Sequence, residues 1–369
     1  MMNILQVSSG KKVGGGQKQL ENLCLELNEL DKEVKTFILC IKNSDFEKYL
    51  SKKDLEFDSA PLSFNLDPRF LRKIISIVKE KKIDLIHIHG SAALTLCIIA
   101  TKLAKLPPFV FSKKTSFPIK NRKQTLYKYN HPNLKKILCV SETTRKIASE
   151  SIKDHSKLVR VYHGSRIKNT DPPFDLRKKL NISEDKIIVG TIANHIRAKN
   201  LETWVATIAE IINIRKYENF HFVQIGSFTS RTENLQEEIK SKGLEASISM
   251  LGFVEEASAL IPQFDISLLT SQSEGLPQFI FESFFYKTPV VSTAVGGIPE
   301  IIKDGENGFL TEPFNSEQLA DKLIALQENP ELGKKFSERS HKIFLNNFTS
   351  RKMAENTLAE YKKVINGKV

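Results

Sequence analysis

Ser273-Glu274-Gly275-Leu276-Pro277-Gln278-Phe279-Ile280-Phe281-Glu282 is the stretch whose reading decides the fold. Phe264-Asp265-Ile266-Ser267-Leu268-Leu269-Thr270 precedes it, an apolar run of strand length. Ser283-Phe284-Phe285-Tyr286 follows and continues a helical pattern. Pro277 suits the first helical position, where its missing N–H would have no partner. The text therefore reads strand, sharp loop, helix. Glu274 falls in the loop at the carboxyl end of a strand, and Glu282 falls inside the helix. The N–H groups of Gln278, Phe279 and Ile280 are expected to point into the space between the two carboxylates. A helix N-terminus of this kind attracts anions. Two carboxylates flanking a diphosphate pocket suit a nucleotide-sugar, one for the sugar and one for ribose hydroxyls. Taken alone, the pair reads more simply as a surface-loop glutamate and a helix-face glutamate.

The downstream text changes that balance. Pro289-Val290-Val291-Ser292-Thr293 is another buried-strand run, followed by Ala294-Val295-Gly296-Gly297-Ile298-Pro299-Glu300, a Gly-Gly turn opening a helix. Asp304-Gly305-Glu306-Asn307-Gly308-Phe309-Leu310 then gives a turn and a short strand. In order, spacing and wording this half resembles the C-terminal domain of the retaining glycosyltransferases of family 4. The E-x7-E signature of that family is filled here by Glu274 and Glu282. The resemblance runs over nearly the whole chain and is most specific in its C-terminal half.

With 369 residues the chain can build two domains with sizeable cores. Its net charge of +12 is unevenly placed. Residues 1–165 hold 30 Lys and Arg against 16 Asp and Glu, whereas residues 166–369 hold 25 against 27. No acidic residue lies between Asp84 and Glu142, but ten basic ones do, among them Lys113, Lys114, Lys120, Arg122, Lys123 and Lys128. A basic face implies an anionic partner: phospholipid, an anionic acceptor or nucleic acid. The interval carries no recognisable nucleic-acid-binding motif, so nucleic acid is not expected. Interleaved with Phe117, Tyr127 and Tyr129, these cations suit a phospholipid interface. An ordinary solvated face is the plainer alternative. Cys24, Cys40, Cys97 and Cys139 lie far apart in apolar runs, as buried free thiols in a reducing compartment do. Met1 to Val7 reads as a first strand, not a signal peptide. No apolar run approaches the roughly 20 residues that span a bilayer. The expectation is a cytoplasmic protein, peripheral on the cytoplasmic face of the membrane where it meets lipid.

In the first half, Asn3-Ile4-Leu5-Gln6-Val7 is a strand, followed by Gly10 and Gly14-Gly15-Gly16, and a helix from Gln17 with Leu20, Leu23, Leu27 and Leu30 on one face. The spacing is not that of a dinucleotide fingerprint. Gly15 and Gly16 still suit close approach of a phosphate or sugar, or simply a tight turn. The loop resembles the family's first glycine loop, which lies against the donor and borders the acceptor site. Ile83 to Gly90 is a buried strand with His87 and His89 on one face. His89 sits at the carboxyl end, where open α/β sheets bind ligands. It resembles the second histidine of the family's D-x-x-H-x-H strand, near the acceptor, and is a candidate catalytic residue. After the strand Phe109-Val110-Phe111-Ser112, many family members place a histidine that reaches the transferred sugar; here Lys113-Lys114 stands instead. Where the family usually has Asn-Gly-Val-Asp, this chain has His163-Gly164-Ser165-Arg166.

Asp171-Pro172-Pro173 marks a linker. After the strand Lys186 to Ala193, the loop Asn194-His195-Ile196-Arg197-Ala198-Lys199-Asn200 carries two cations suited to a diphosphate. It resembles the family's phosphate-binding loop. Lys199 matches the family lysine; Asn194 stands at the commoner arginine position, with Arg197 as the substitute. Phe220 to Ser227 is a strand ending in a glycine turn at Gly226. Both halves alternate strands and helices, so each should be a parallel, doubly wound sheet.

The resemblance implies a GT-B fold, two Rossmann-like domains facing across a cleft. The expected divisions are residues 1–168, 169–348, and a C-terminal helix at 349–369 that returns to the first domain. It implies retaining transfer from a UDP- or GDP-sugar to a glycan or glycolipid, with lipopolysaccharide biosynthesis the leading guess. No Asp-x-Asp motif occurs, which suits a metal-free site where cations and amides meet the leaving charge. A GT-B epimerase or phosphorylase shares the fold, and fold does not fix function. A basic anion-binding protein without catalysis is the third reading.

Overall fold

The computed structural model describes residues 1–64, 66–167 and 169–367; the expected division at 168 and the last two residues of the segment 349–369 fall outside them. Two compact units form. Met1–Arg166 with Asn347–Val369 make the first, and Ile167–Asn346 the second.

The first unit is built on seven strands: β1 (Met2–Ser8), β2 (Val34–Ile41), β3 (Phe57–Ala60), β4 (Leu85–His89), β5 (Phe109–Lys113), β6 (Leu134–Cys139) and β7 (Leu158–Arg160). Their order is β3-β2-β1-β4-β5-β6-β7, with every pairing parallel. The second unit has six: β8 (Ile187–Ile192), β9 (Phe220–Ile225), β10 (Ile248–Met250), β11 (Ile266–Leu269), β12 (Val290–Thr293) and β13 (Phe309–Thr311). Their order is β10-β9-β8-β11-β12-β13, again all parallel. Helices connect successive strands, so both units are Rossmann-like.

Parallel sheets are covered on both faces, which is why these strands are near-continuous apolar runs. Every residue of β4, β9, β11 and β12 is buried. In the second unit Trp204, Phe220, Phe222, Phe309 and Phe336 share one core. In the first, the C-terminal helix Ser350–Ile365 lays Met353, Ala354, Leu358, Tyr361 and Val364 on Ile4, Leu23, Leu27, Val34 and Leu85.

The strand order reverses between β1 and β4, and again between β8 and β11. At such a point successive crossovers leave on opposite faces, so the carboxyl ends of the two central strands border an open crevice. The glycine loop and His89 meet at the first reversal. The loops after β8 and β11 meet at the second.

Three local expectations shift. The helix after the glycine loop starts at Gly15 and not at Gln17, because the amides of Gln17 and Lys18 both reach the Gly14 carbonyl, at 3.0 Å each. Pro277 caps the next helix from outside: its φ is −76° but its ψ is 130°, and the helix runs Gln278–Phe285. The pyrrolidine ring fixes φ and leaves ψ to the loop. The edge strand β3 and the helix Asp45–Leu50 were not anticipated; each is too short to show a period.

Gly190 in β8 tests the packing. A Cβ there would lie 2.0 Å from the Phe264 ring, itself buried. Gly190→Ala should lower stability by about 1–3 kcal/mol through overpacking. Gly333, inside the helix Pro330–Asn347, has no neighbour nearer than 3.6 Å to a built Cβ. Gly333→Ala should therefore gain about 0.5–1 kcal/mol. Urea midpoints of the two variants moving the same way would contradict this account.

Candidate functional site

In the second unit the site begins with a buried polar residue inside an apolar strand. Gln224 of β9 accepts through Oε1 from Nε2 of the His195 ring at 2.8 Å, and its Nε2 donates to the Ala193 carbonyl at 2.6 Å. The other ring nitrogen of His195 meets Thr232 Oγ1 at 2.8 Å. With both nitrogens engaged, His195 is a strut that fixes the path of the loop after β8. Gly226 is required beside it, because a Cβ there would lie 2.0 Å from the Ala193 carbonyl oxygen. The loop then makes a single tight turn, Arg197–Lys199, closed by Asn200 at φ 48°. Asparagine tolerates that left-handed conformation better than most residues.

The turn is stitched to the loop after β11. Gln272 donates its amide to Ala198 O at 2.9 Å and its Nε2 to Arg197 O at 2.6 Å. Lys199 Nζ reaches Glu274 Oε1 at 2.6 Å, and Ser271 Oγ donates to the same oxygen at 2.7 Å. The two charged side chains are only 19% and 12% exposed, so their attraction is screened less than that of a surface pair. A third loop, after β12, closes the other side: Gly297 N donates to Gly275 O at 2.9 Å and Thr293 Oγ1 to Ser271 O at 2.6 Å. Glu274 is thus held by three loops. Arg197 is exposed beside it, and Glu282 is half-buried in the following helix. Of the three amides expected to face the pocket, that of Ile280 is already taken by Pro277 O at 3.2 Å. It is withdrawn from the anion site, while Gln278 and Phe279 still open the helix.

In the first unit half of the six candidate cations prove tied. Lys113 is buried and donates to the carbonyls of Thr115 and Phe117, the latter at 2.7 Å, so it braces its own loop. Lys114 donates to Gly16 O at 2.9 Å, clamping the glycine helix. Lys128 bonds Ser91 Oγ at 2.6 Å and Thr95 Oγ1 at 3.2 Å. Lys113, Lys114 and Lys128 are therefore not part of a free lipid-facing patch; Lys120, Arg122 and Lys123 are the exposed members. His89 Nε2 bonds Gln6 Oε1 at 2.7 Å, and its ring lies 4.1 Å from that of His87. Burial, with the charge of Lys114 adding, holds both imidazoles well below their ordinary pKa, so both are neutral near pH 7.

Sequence reasoning missed His195, Gln224, Ser271, Gln6 and Tyr361. A signal existed for the two glutamines: a polar side chain in a buried strand must find a partner. Among the described residues no cluster of three or more His, Cys, Asp or Glu is placed to hold a metal. No described helix is long and apolar enough to cross a membrane.

Two family models match the chain, Glycosyltransferase Family 4 over residues 13–166 and Glycosyl transferases group 1 over residues 174–343. The chain belongs to the group 1 glycosyltransferases of family 4. Its relatives include N-acetyl-alpha-D-glucosaminyl L-malate synthase of Bacillus anthracis, 23% identical over 80% of each chain. The O-antigen biosynthesis glycosyltransferase WclY of Escherichia coli is 28% identical over 52% of this chain and 49% of that protein. Among solved structures, Anabaena HepE in complex with UDP and glucose matches with a TM-score of 0.85 at 18% identity, covering 98% of this chain and 100% of that one. A Staphylococcus aureus TarM variant, solved with UDP and other ligands, matches with a TM-score of 0.78 at 13% identity over 99% and 100%. These likenesses establish the GT-B fold of this transferase.

One consequence of the basic loop is a pH dependence. Burial pushes Lys114 down to about 8 from 10.5. Between those values the unfolded chain binds more protons, so stability rises with pH across that window. Burial also lowers Lys113 and Lys128, so the test is a difference. Lys114→Met should flatten the rise in unfolding free energy between about pH 8 and 10.5 relative to wild type. An unchanged slope would mean that the ammonium titrates normally.

Proposed function

We propose that this glycosyltransferase moves a hexosyl group from a UDP- or GDP-sugar to a glycan or glycolipid acceptor, with retained anomeric configuration and without a metal ion. The observation that carries the reading is the Lys199–Glu274 pair, held at the carboxyl ends of the two central strands of the second unit. Lys199, with Arg197, meets the diphosphate. The amides of Gln278 and Phe279 add a helix N-terminus to the same charge. Glu274, released in part from Lys199 as the diphosphate arrives, takes hydrogen bonds from the transferred sugar. Glu282 accepts from the ribose hydroxyls. The acceptor hydroxyl attacks the face that the leaving phosphate vacates and gives its proton to the departing phosphate oxygen, so configuration is kept. Positive side chains and amides supply the countercharge that a metal would otherwise bring. Relatives named for O-antigen biosynthesis and for poly(ribitol-phosphate) glycosylation support a cell-surface glycan, with lipopolysaccharide the leading case.

A panel of UDP-, GDP- and ADP-sugars scored for nucleotide release tests this directly. Release should occur with one of the first two and persist in EDTA. Glu274→Ala should abolish transfer while nucleotide binding stays within a few-fold. Glu282→Ala should weaken donor binding by about 1–3 kcal/mol, as loss of charged hydrogen bonds does. A strict need for added Mg²⁺, or transfer by Glu274→Ala within about tenfold of wild type, would contradict the scheme.

The reading also places the enzyme on an anionic membrane surface on the cytoplasmic side. Arg122 and Lys123 are exposed beside Phe117 and Tyr127, which are 63% and 54% exposed. Each such cation contributes about 1 kcal/mol near anionic lipid. Reversing both, Arg122→Glu with Lys123→Glu, should weaken co-sedimentation with anionic liposomes at low salt while donor hydrolysis continues. Equal sedimentation of variant and wild type would remove the membrane from the proposal.

A further inference from the structure

Two donors share one oxygen of Glu274. Lys199 Nζ and the Ser271 hydroxyl both meet Oε1, at 2.6 and 2.7 Å. A carboxylate oxygen has two acceptor sites, so this one is filled. The two donors differ in how they are held. Ser271 is fully buried, and its carbonyl oxygen accepts from Thr293 Oγ1 at 2.6 Å. Its chain neighbours are fastened to the loop after β8. The Thr270 hydroxyl reaches Lys199 O at 3.3 Å and Asn200 O at 3.1 Å, and the Gln272 amide donates to Ala198 O at 2.9 Å. Fixed backbone on both sides therefore sets where the serine hydroxyl lies. The ammonium of Lys199 instead ends a long flexible stem, and that side chain is 19% exposed.

The difference matters once a diphosphate is present. Lys199 is the cation that meets this group, yet in the structure it is occupied by Glu274. A diphosphate brings more negative charge than one carboxylate and draws the ammonium across. Glu274 then loses its countercharge at a place where its side chain is only 12% exposed. A carboxylate stranded there without a donor is costly and would turn away or follow the lysine. The hydroxyl on Oε1 prevents both, because a hydrogen bond to an ionised acceptor is roughly twice as strong as one between neutral groups. Being neutral, the hydroxyl does not compete with the phosphate for positive charge. The acceptor site on Oε1 that Lys199 vacates is then open to a sugar hydroxyl.

We propose that Ser271 is the positioning residue of this handover: it keeps Glu274 aimed at the transferred sugar while Lys199 passes from the carboxylate to the diphosphate. The inference rests on the glycosyl-transfer reading and adds to it the group that couples donor arrival to sugar contact. Ser271 touches neither sugar nor phosphate and acts through Glu274. An order follows: Oε1 takes a sugar hydroxyl only after the diphosphate has drawn Lys199 away.

Kinetics and calorimetry on the full chain test it. The donor is the UDP- or GDP-sugar that the nucleotide-release panel selects, and the binding probe is UDP or GDP to match. Ser271→Ala should lower kcat about tenfold or more while the Kd of the nucleoside diphosphate stays within about twofold of wild type. Ser271→Cys fills the same space with a weak donor and should show the same split, which separates the hydroxyl from its packing. Without acceptor, the ratio of the donor's Kd to that of its nucleoside diphosphate should rise in Ser271→Ala and in Glu274→Ala, and no further in the double variant. A serine that merely supported the loop would weaken nucleoside diphosphate binding in step with kcat, since Lys199 belongs to that loop. That outcome, a kcat for Ser271→Ala within about threefold of wild type, or a double variant worse than Glu274→Ala would overturn the proposal. Wild type that turns over no sugar of the panel would sink the glycosyl-transfer reading and the handover together. Turnover by wild type with any of the three contrary results removes the handover alone.

Discussion

Lys199 and Glu274 lie far apart in sequence and come within one hydrogen bond of each other because β8 and β11 are neighbours in the sheet. That adjacency is the constraint on which the second unit's chemistry depends. The strand order reverses there, so the two following crossovers diverge and leave a crevice that neither helix fills. The loops around it would be mobile if left to themselves. Instead, backbone acceptors at Arg197 and Ala198 are taken by Gln272, and the Thr270 hydroxyl reaches the Asn200 carbonyl at 3.1 Å. The pair is held by its loops as much as it holds them. A site fixed in this way needs little reorganisation when charge develops in it, which is the condition for electrostatic catalysis.

The same logic shows how much of the molecule was legible in its sequence. The strands were readable because a parallel sheet buries both faces, and such strands must be apolar throughout. The loop after β11 was readable because a glycine, a proline and two carboxylates stand between an apolar strand and an apolar helix. What escaped were the interactions that act at a distance in the chain. Nothing near His195 announces that Gln224 and Thr232 close on its two ring nitrogens. Ser271 looks like any loop serine until it is seen donating to Glu274. Pro277 was read correctly as marking the helix start and misplaced by one residue, since a fixed φ says nothing about ψ.

Charge was the most misleading signal. Ten cations without an acid in the same interval read as an exposed basic face. The structure divides them. Lys113 and Lys114 spend their charge on carbonyl oxygens of their own surroundings, and Lys128 on the start of a neighbouring helix. Lysine stems bury readily while the head group finds oxygen, so composition alone cannot separate a bracing lysine from a solvated one. The remaining exposed cations form a smaller patch than the sequence suggested.

The C-terminal helix ties together the two strands that meet at the first unit's reversal. Tyr361 is fully buried and reaches both Gln6 of β1 and His87 of β4, the two strands at the reversal in the first unit. Ser350, at the start of the same helix, donates to buried Glu26 at 2.5 Å, and Gly164 lies so close to Thr349 that a Cβ would fall 2.0 Å from its carbonyl oxygen. Without residues 350–365, Gln6, His87 and Glu26 would each lose a buried partner, at about 1–3 kcal/mol apiece, together with the apolar cover from Met353, Leu358 and Val364. The last helix in sequence is therefore part of the first unit's core. Its tyrosine has a chemical consequence besides a structural one. By orienting Gln6 it turns an amide oxygen toward Nε2 of His89, so the nitrogen of that ring that carries the proton is set by a residue 272 positions further along the chain.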